Sequence, residues 1–184
     1  MNFRDLTAEE IECRVQSVKQ NGLVLLLYKN ARCDMNILDE TVGAENWQRE
    51  HYECKGNLFC RVGIHCNTDF DAEKRLVPPN WVWKSDCGVE SNTEAQKGEA
   101  SDSFKRACFN WGIGRELYTA PFIWIPAKKC NIVDGKNGSK QCYDKFEIEK
   151  IIIENKKIVA ISILNNSIES DDIKQKRCFV WQRT

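Results

Sequence analysis

The sequence predicts an α+β fold, in which helices pack on an antiparallel sheet. Segments with the apolar spacing of helices are followed by short segments with alternating or continuous apolar residues. The order is helix, strand, helix, a β-meander, helix and then further strands, which is typical of the α+β class. Hydrophobic residues make up 42% of the 184 positions, with six Trp and eight Phe, which is enough for a folded core.

The first predicted element is a helix over "LTAEEIECRVQSVKQNG". Thr7 and Glu10 have the spacing of a capping box, in which each residue satisfies a backbone amide near the other at a helix start. Ile11, Val15 and Val18 would form the apolar stripe of this helix. The run "LVLLLY" at 23–28 is predicted as a buried strand.

The middle of the chain predicts a second helix, a hairpin and another strand. The helix covers "ARCDMNILDETVGAENW", in which Gly43 has the position of a C-cap. The segments "WQREHYECK" and "NLFCRVGIHCN" flank Lys55, Gly56 and Asn57, an arrangement typical of a β-hairpin. "NTDFDAEKRLVPPN" is predicted as a loop, and "WVWKSDCGVES" as a strand with Trp81 and Trp83 on one face.

A third helix is predicted from about Thr93 to Trp111, and β-rich pieces follow it. "PFIWIP" is predicted as a short strand and "CNIVDGKNGSK" as a loop. The last predicted strands are "KFEIEKIIIE", "KKIVAISIL" and "RCFVWQR". We therefore expect a core domain at 1–126 and a β-rich C-terminal extension at 127–184.

The third helix should pack on the sheet through one apolar face. At 100° per residue, that face consists of Ala100, Phe104, Ala107, Cys108 and Trp111. Lys105 and Arg106 fall off this face, and Asp102 is placed one turn before Arg106 for an ion pair.

A glycine turn follows the same helix. Gly112 and Gly114 predict a sharp turn, which would bring Arg115 back near the helix end. Lys105, Arg106 and Arg115 would then form a cluster of cations with no acid between 103 and 115, which suits phosphate groups. The alternative interpretation is a solvated helix edge with one weak ion pair.

The charge balance limits the kind of partner. The chain has 27 basic and 27 acidic residues, so its net charge is zero and a uniformly basic nucleic-acid surface is not expected. The charges are segregated, however, because 103–115 and 173–184 each hold basic residues and no acidic residue. A local basic stripe therefore remains compatible with the composition.

The ten cysteines have no pair at the two-to-four-residue spacing that zinc ligands usually show. The chain starts with the charged segment "MNFRDLTAEE", which does not resemble a signal peptide, and it holds no apolar run of membrane-spanning length. We expect reduced, mostly buried thiols in a cytoplasmic protein that requires no cofactor or metal.

Three motifs together give a resemblance to a known family. "GEASDSFKRACFNWGIGRELY", "ARCDMNILDETVGAENWQ" and "WVWKSDCGVESNTEAQKGEASDSFKRA" resemble ordered segments of the Rad-fifty-two-like (Rad-fifty-two/Rad-twenty-two) phage and bacterial single-strand DNA annealing proteins. The matching region runs from about Tyr28 to Tyr118 and fades after about Pro126. Eukaryotic members have an arginine where this chain has Phe109, and another of their arginines aligns with Cys33 more closely than with Arg32.

The resemblance implies a β-β-β-α core that assembles into a homo-oligomeric ring. It implies that single-stranded DNA lies in a basic groove and is annealed in homologous recombination or DNA repair, without nucleotide hydrolysis. Candidate partners are a single-strand-binding protein or a phage exonuclease, in a bacterial host cell. The positions that match basic residues of the family, and that we expect to bind DNA, are Arg32, Lys84, Lys97, Lys105, Arg106 and Arg115.

Two alternative functions remain open from the residues. Asp69, Asp71 and Glu73 lie close together in a predicted loop and, with His65, could serve a metal-dependent nuclease. The zero net charge is also compatible with a scaffold that keeps the ring-forming core without binding DNA. His51 and His65 are otherwise interpreted as structural strand residues, and the aromatic residues as core, with one exposed ring able to stack on a base.

Overall fold

The computed structural model describes residues 1–66, 80–89, 95–135 and 138–183, and it confirms the α+β class. The chain packs as two compact units. The first unit consists of Met1–Arg4 and Asn30–Gly114, and the second of Asp5–Lys29 and Arg115–Thr184. The division expected from the sequence, at 1–126 and 127–184, stays a prediction.

The described residues form helices and strands that we number in chain order. They are β1 (Glu12–Lys19), β2 (Gly22–Tyr28), α1 (Ala31–Val42), β3 (Trp47–Cys54), β4 (Asn57–His65), β5 (Trp81–Cys87), α2 (Ala95–Trp111), β6 (Ile123–Pro126), β7 (Ile132–Asp134), β8 (Lys140–Cys142), β9 (Phe146–Glu154), β10 (Lys157–Asn165), α3 (Ile173–Lys176) and β11 (Arg177–Gln182). Short 3-10 turns occupy Ala8–Glu10, Ala44–Asn46, Arg115–Thr119 and Ala127–Lys129. None of the helices in the described residues is long and apolar enough to cross a membrane.

The first unit contains the antiparallel sheet β3-β4-β5. Lys55 and Gly56 connect β3 to β4 with positive φ values of 52° and 74°, as a type I′ hairpin turn requires. The predicted hairpin and the predicted strand at Trp81 are therefore confirmed. Of the predicted loop between β4 and β5, only Asn80 lies within the described residues.

Helix α1 ends at its predicted C-cap, Gly43, and begins after Asn30. The Asn30 side chain accepts hydrogen bonds from the backbone amides of Arg32 and Cys33, at 2.9 and 3.1 Å. These bonds satisfy two of the amides that a helix leaves unpaired at its first turn. The helix ends at Gly43, whose φ of 88° is accessible to glycine at little steric cost.

Helix α2 packs on β4 and β5 through the predicted apolar face. Phe104, Ala107 and Cys108 are fully buried, and the Trp111 indole donates a hydrogen bond to the Val62 carbonyl at 3.0 Å. The predicted packing face is thus confirmed. These contacts fix the orientation of the helix, and with it the directions of its basic side chains.

The prediction of a helix in the first segment is wrong, because β1 occupies most of it. The capping signal itself is present: Glu10 accepts a hydrogen bond from the Thr7 amide at 2.8 Å, around a single 3-10 turn. A bulge in β1 between Val15 and Ser17 inserts one extra residue. The bulge therefore puts Val15 and Val18 on one face of a strand, at a spacing that also fits a helix.

The second unit is built around the six-stranded antiparallel sheet β11-β10-β9-β1-β2-β6. The strands predicted at 23–28, at "PFIWIP" and in the tail are confirmed. The edge strands β6 and β11 contact each other, so the sheet curls around its apolar face. The buried core comprises Leu23, Leu25, Ile123, Ile125, Phe146, Ile158, Ile161, Ile163 and Cys178.

The predicted loop "CNIVDGKNGSK", at 130–140, includes all of β7 and the first residue of β8, and Asp134 pairs with Lys140 across the two strands. The expectation of a loop is therefore wrong for these strand residues. The β-branched pair Ile132-Val133 followed by Asp134-Gly135 is itself a hairpin signal.

Candidate nucleic-acid interface

Helix α2 directs the neighbouring residues Lys105 and Arg106 to opposite flanks of its packed face. Phe104, at the centre of that face, is fully buried, whereas both cations are partly exposed. Because residues four apart lie on the same side of a helix, Lys105 lies on the flank of Ser101. Arg106, 100° further round the helix, lies on the flank that faces β5.

Arg106 forms its ion pair with a strand residue. Its Nε lies 3.5 Å from Oδ1 of Asp86 on β5. Asp102, which the sequence suggested as the partner, instead accepts a hydrogen bond from the Val89 backbone amide at 3.1 Å. The expected i, i+4 pair is therefore replaced by a contact between helix and sheet, because the packing of α2 on β5 brings Asp86 close to Arg106.

Lys84 contacts the C-terminal end of α2. Its Nζ donates a hydrogen bond to the Asn110 carbonyl at 2.9 Å and lies 4.4 Å from the centroid of the Trp111 ring. The last carbonyls of a helix have no partner within the helix, and a cation there also interacts favourably with the helix dipole. Lys84 therefore contributes to the packing of α2 on β5, whether or not it also attracts DNA.

The remaining predicted cations lie at the start of α2 and just after its end. Lys97 is exposed in the first turn of α2. Gly112 and Gly114 have φ values of 99° and 70°, which confirms the predicted glycine turn. Arg115 follows this turn, is exposed, and belongs to the second unit.

The glycine turn completes a Schellman motif at the end of α2. The amide of Gly112 donates to the Phe109 carbonyl at 2.9 Å, and the amide of Ile113 donates to the Cys108 carbonyl at 3.1 Å. Ile113 and Cys108 are both fully buried, which supplies the apolar contact that accompanies this motif. The helix therefore has a fixed end immediately after its cations.

Arg32 lies in a groove of about 390 Å³ in the first unit, which we call the α1–β3 groove. The groove joins the first turn of α1, one face of β3 and the middle of α2. Its described lining residues include no acidic side chain, although the whole chain has no net charge. They are Asn30, Ala31, Arg32, Met35, Arg49, His51, Ala100 and Ser101.

Arg49 and His51, which line the groove, were not among the predicted DNA-binding residues. The Arg49 guanidinium lies 4.7 Å from the centroid of the Phe104 ring, and the His51 Nε2 lies 3.1 Å from the Ala100 carbonyl oxygen. Alternation along β3 was sufficient to place both residues on one face. The sequence did not show that α2 packs beside this face and closes the groove.

The opposite face of the same sheet carries aromatic rings. Tyr52 stacks on Phe59 at a centroid separation of 5.6 Å, and Arg61 lies 4.5 Å from the centroid of Trp83. Arg61 also forms an ion pair with Glu50 at 2.6 Å. This face is less basic than the α1–β3 groove, because its arginine is matched by an acid.

The residues of the alternative nuclease hypothesis are mostly outside the described residues. Asp69, Asp71 and Glu73 belong to the undescribed segment, so the structure leaves that hypothesis untested. His65 lies at the end of β4, with its ring 5.6 Å from the ring of Trp81. Among the described residues, histidine, cysteine and acidic side chains form no group of three or more with the geometry of a metal site.

All ten cysteines are free thiols. Cys33, Cys60, Cys108 and Cys178 are buried, whereas Cys54 and Cys66 are exposed. Burial raises the pKa of Cys13 to about 12 and that of Cys60 to about 11. The thiols with raised pKa values are therefore protonated, and weak nucleophiles, at neutral pH.

Comparison of the sequence with protein families identifies the class of DNA repair proteins to which the chain belongs. The sequence model of the Rad52/22 family double-strand break repair proteins matches residues 3–136. Because this match covers more than half of the chain, the protein belongs to the Rad52/22 family, and the resemblance predicted from the sequence is confirmed. Its general role is DNA repair and recombination. Comparisons with curated proteins and with solved structures find no match.

Proposed function

We propose that the protein binds single-stranded DNA through the DNA backbone and anneals complementary strands, without hydrolysing nucleotides. The observation that carries this proposal is the α1–β3 groove, which holds Arg32 and Arg49 and has no acidic residue among its described lining. Lys105 lies on the helix flank that borders this groove. A local cationic surface can attract phosphates even in a chain with zero net charge.

Backbone binding suits annealing because the base edges must stay free to pair. Contacts to phosphates position a nucleic acid but carry no sequence information. Lysine and arginine provide such contacts, and the proposed residues are all of these two types. We therefore propose that Arg32, Lys97 and Lys105 contact the phosphates of a strand that lies in the groove. Lys84, Arg106 and Arg115 are the remaining proposed contacts.

We further propose that β3, β4, β5 and α2 are the β-β-β-α core of the annealing family, and that the protein assembles into a ring. In the described residues, β3 and β5 are the two edges of the sheet. Edge strands present unpaired backbone groups that readily associate with other chains. Light scattering at micromolar concentration should show a homo-oligomer, and a monodisperse monomer would contradict this proposal.

The test of DNA binding is the double variant Lys105→Ala/Arg106→Ala. Each lost contact to a single strand should lower the slope of log affinity against log salt by about 0.7, so the variant should lose about 1.4 for each protomer engaged. The decrease should be similar for strands of different base composition, because backbone contacts do not read sequence. Annealing of complementary strands should slow in parallel.

The matched control is Lys19→Ala/Lys145→Ala, which removes two exposed lysines of the second unit and changes the net charge equally. The control should bind like the parent, and both variants should keep the parent's particle size. The loss of the Arg106–Asp86 ion pair should lower the free energy of unfolding of the double variant by no more than about 1 kcal/mol. Equal salt slopes in all three proteins would reject the proposed contacts. Cleavage of a labelled single strand in Mg²⁺ or Mn²⁺ would support the nuclease hypothesis. If the parent binds no DNA at low salt, the hypothesis of a scaffold without DNA binding would be supported.

A further inference from the structure

We propose that Arg49 is a direct phosphate contact in the α1–β3 groove, held in position by Phe104. This inference rests on the proposed binding of single-stranded DNA and names a contact residue that the family resemblance did not. It starts from a cluster of three side chains, in which the Phe104 ring contacts both the Trp47 ring and the Arg49 guanidinium.

Alternation along β3 places Trp47 and Arg49 on the same face of the sheet. The Phe104 ring reaches this face from α2, stacked at 6.1 Å and 26° to Trp47 and 4.7 Å from the Arg49 guanidinium carbon. Phe104 is fully buried, so the surface on which Arg49 stacks is rigid. A rigid support reduces the loss of side-chain freedom when a ligand binds.

Stacking of a guanidinium on a ring leaves its donors available. The N–H groups of arginine lie in the plane of the guanidinium, so a ring against its face does not cover them. Arg49 is exposed, and its planar fork suits two oxygens of one phosphate group. The geometry therefore combines a fixed cation with free bidentate recognition.

The neighbouring charges favour an anion in this groove. Arg32 lies on the groove wall at the first turn of α1, and His51 lies two residues beyond Arg49 on the same face of β3. The intervening acid, Glu50, points to the opposite face of the sheet, where it pairs with Arg61 at 2.6 Å. Alternation thus places Glu50 away from Arg49, whereas Glu53, the other acid of β3, shares the face of Arg49 but is not among the described residues that line the groove.

The site depends on side chains more than on the helix start. The Arg32 and Cys33 amides at the start of α1 already donate to the Asn30 side chain. Backbone amides are therefore less available to an anion than the two guanidinium groups are. The expected ligand is the phosphodiester backbone of a single strand, bound without preference for a base.

The test compares Arg49→Gln with Arg61→Gln. Both arginines stack on an aromatic ring and occupy the same sheet, but they lie on opposite faces. Glutamine keeps part of the packing and removes the charge in both cases. Binding of a fluorescent homopolymer of deoxythymidine is measured across salt concentrations, at a temperature where all proteins are folded.

Arg49→Gln should weaken binding on the order of tenfold and lower the salt slope by about 0.7, whereas Arg61→Gln should bind like the parent. Arg49→Lys should retain most of the salt slope but only part of the affinity, because it keeps the charge without the fork. If the parent binds and Arg49→Gln binds equally well, the Arg49 site is rejected while the proposed function stands. A larger loss in Arg61→Gln would instead assign binding to the aromatic face, and a parent that does not bind at all would reject both proposals.

Discussion

Arg106 on α2 and Asp86 on β5 form an ion pair across the helix–sheet contact, with Nε and Oδ1 separated by 3.5 Å. Lys105, the adjacent residue, lies on the other flank of the helix beside the α1–β3 groove. The two neighbouring cations of α2 are therefore not equivalent. A ligand can bind Lys105 without breaking an ion pair found among the described residues. Arg106 is already paired with Asp86 of its own chain.

Asp86→Asn should increase the affinity for single-stranded DNA. The change removes the acid beside Arg106 and makes this edge of the sheet more positive. Because both side chains are partly exposed, at 39% and 29%, the lost ion pair should lower the free energy of unfolding by no more than about 1 kcal/mol. Titration of a labelled strand at low salt measures the effect. Asp171→Asn, an equal charge change at an exposed position of the second unit, is the control, and an equal gain in both variants would show that only net charge matters.

Lys84→Met should destabilise the protein more than Lys105→Met does. The first change removes the hydrogen bond to the Asn110 carbonyl and the cation–π contact with Trp111. Together these contacts should contribute about 1–2 kcal/mol to the free energy of unfolding, whereas an exposed charge contributes about 0.5 kcal/mol or less. Urea denaturation of both variants measures the difference. Equal stability of the two would mean that Lys84 does not fix the end of α2.

Glu116→Ala should destabilise the second unit, whereas Lys19→Ala, at an exposed position of the same unit, should not. The Glu116 side chain is fully buried, and its Oε1 accepts a hydrogen bond from the Leu6 amide at 2.8 Å. Removal of the acceptor leaves a buried N–H group unpaired, which costs about 1–3 kcal/mol. Lys19 is exposed, so its loss should leave the melting temperature unchanged. A normal melting temperature for Glu116→Ala would contradict this assignment.

The stability of the protein should decrease as the pH rises above about 9. Burial raises the pKa values of Cys13 and Cys178 from 9.0 to about 12 in the folded protein. Between these values the unfolded chain has lost the thiol protons that the folded chain still holds, so rising pH favours unfolding. The stabilising contribution is complete below the unfolded pKa and is lost as pH approaches the folded one.

Urea denaturation of the parent and of Cys13→Ala at about pH 8 and about pH 10.5 isolates this effect from the titration of lysines. The variant should lose less stability between the two pH values than the parent does. Identical losses would show that the Cys13 thiol does not resist deprotonation in the folded state.

Local signals predicted most of the secondary structure. Gly43 ends α1, the Lys55-Gly56 turn joins β3 to β4, and the apolar face of α2 is the one that the helical period indicated. These features depend on residues close in sequence. The exception is β1, where the bulge gives a strand the apolar spacing of a helix.

The partners of the candidate site could be predicted less well, because they depend on tertiary packing. Asp102 is the nearest acid to Arg106 along the helix, but Asp86 is the one that the sheet brings to it. Arg49 and His51 share a strand face, yet only the position of α2 turns that face into a groove wall. The family resemblance spanned β3 but indicated cations only on α1, on β5, on α2 and just after α2.

The division into two units has a consequence for the order in which the chain can mature on a ribosome. The first unit can close once Gly114 has emerged, whereas β1 and β2 are synthesised before it and must wait for β6 and β9, which follow it. We therefore expect the N-terminal hairpin to spend much of translation with its apolar face uncovered. A fragment ending at residue 126 would keep β6 but lack β9, and we expect a lower soluble yield from it than from the full chain, which parallel expression would measure.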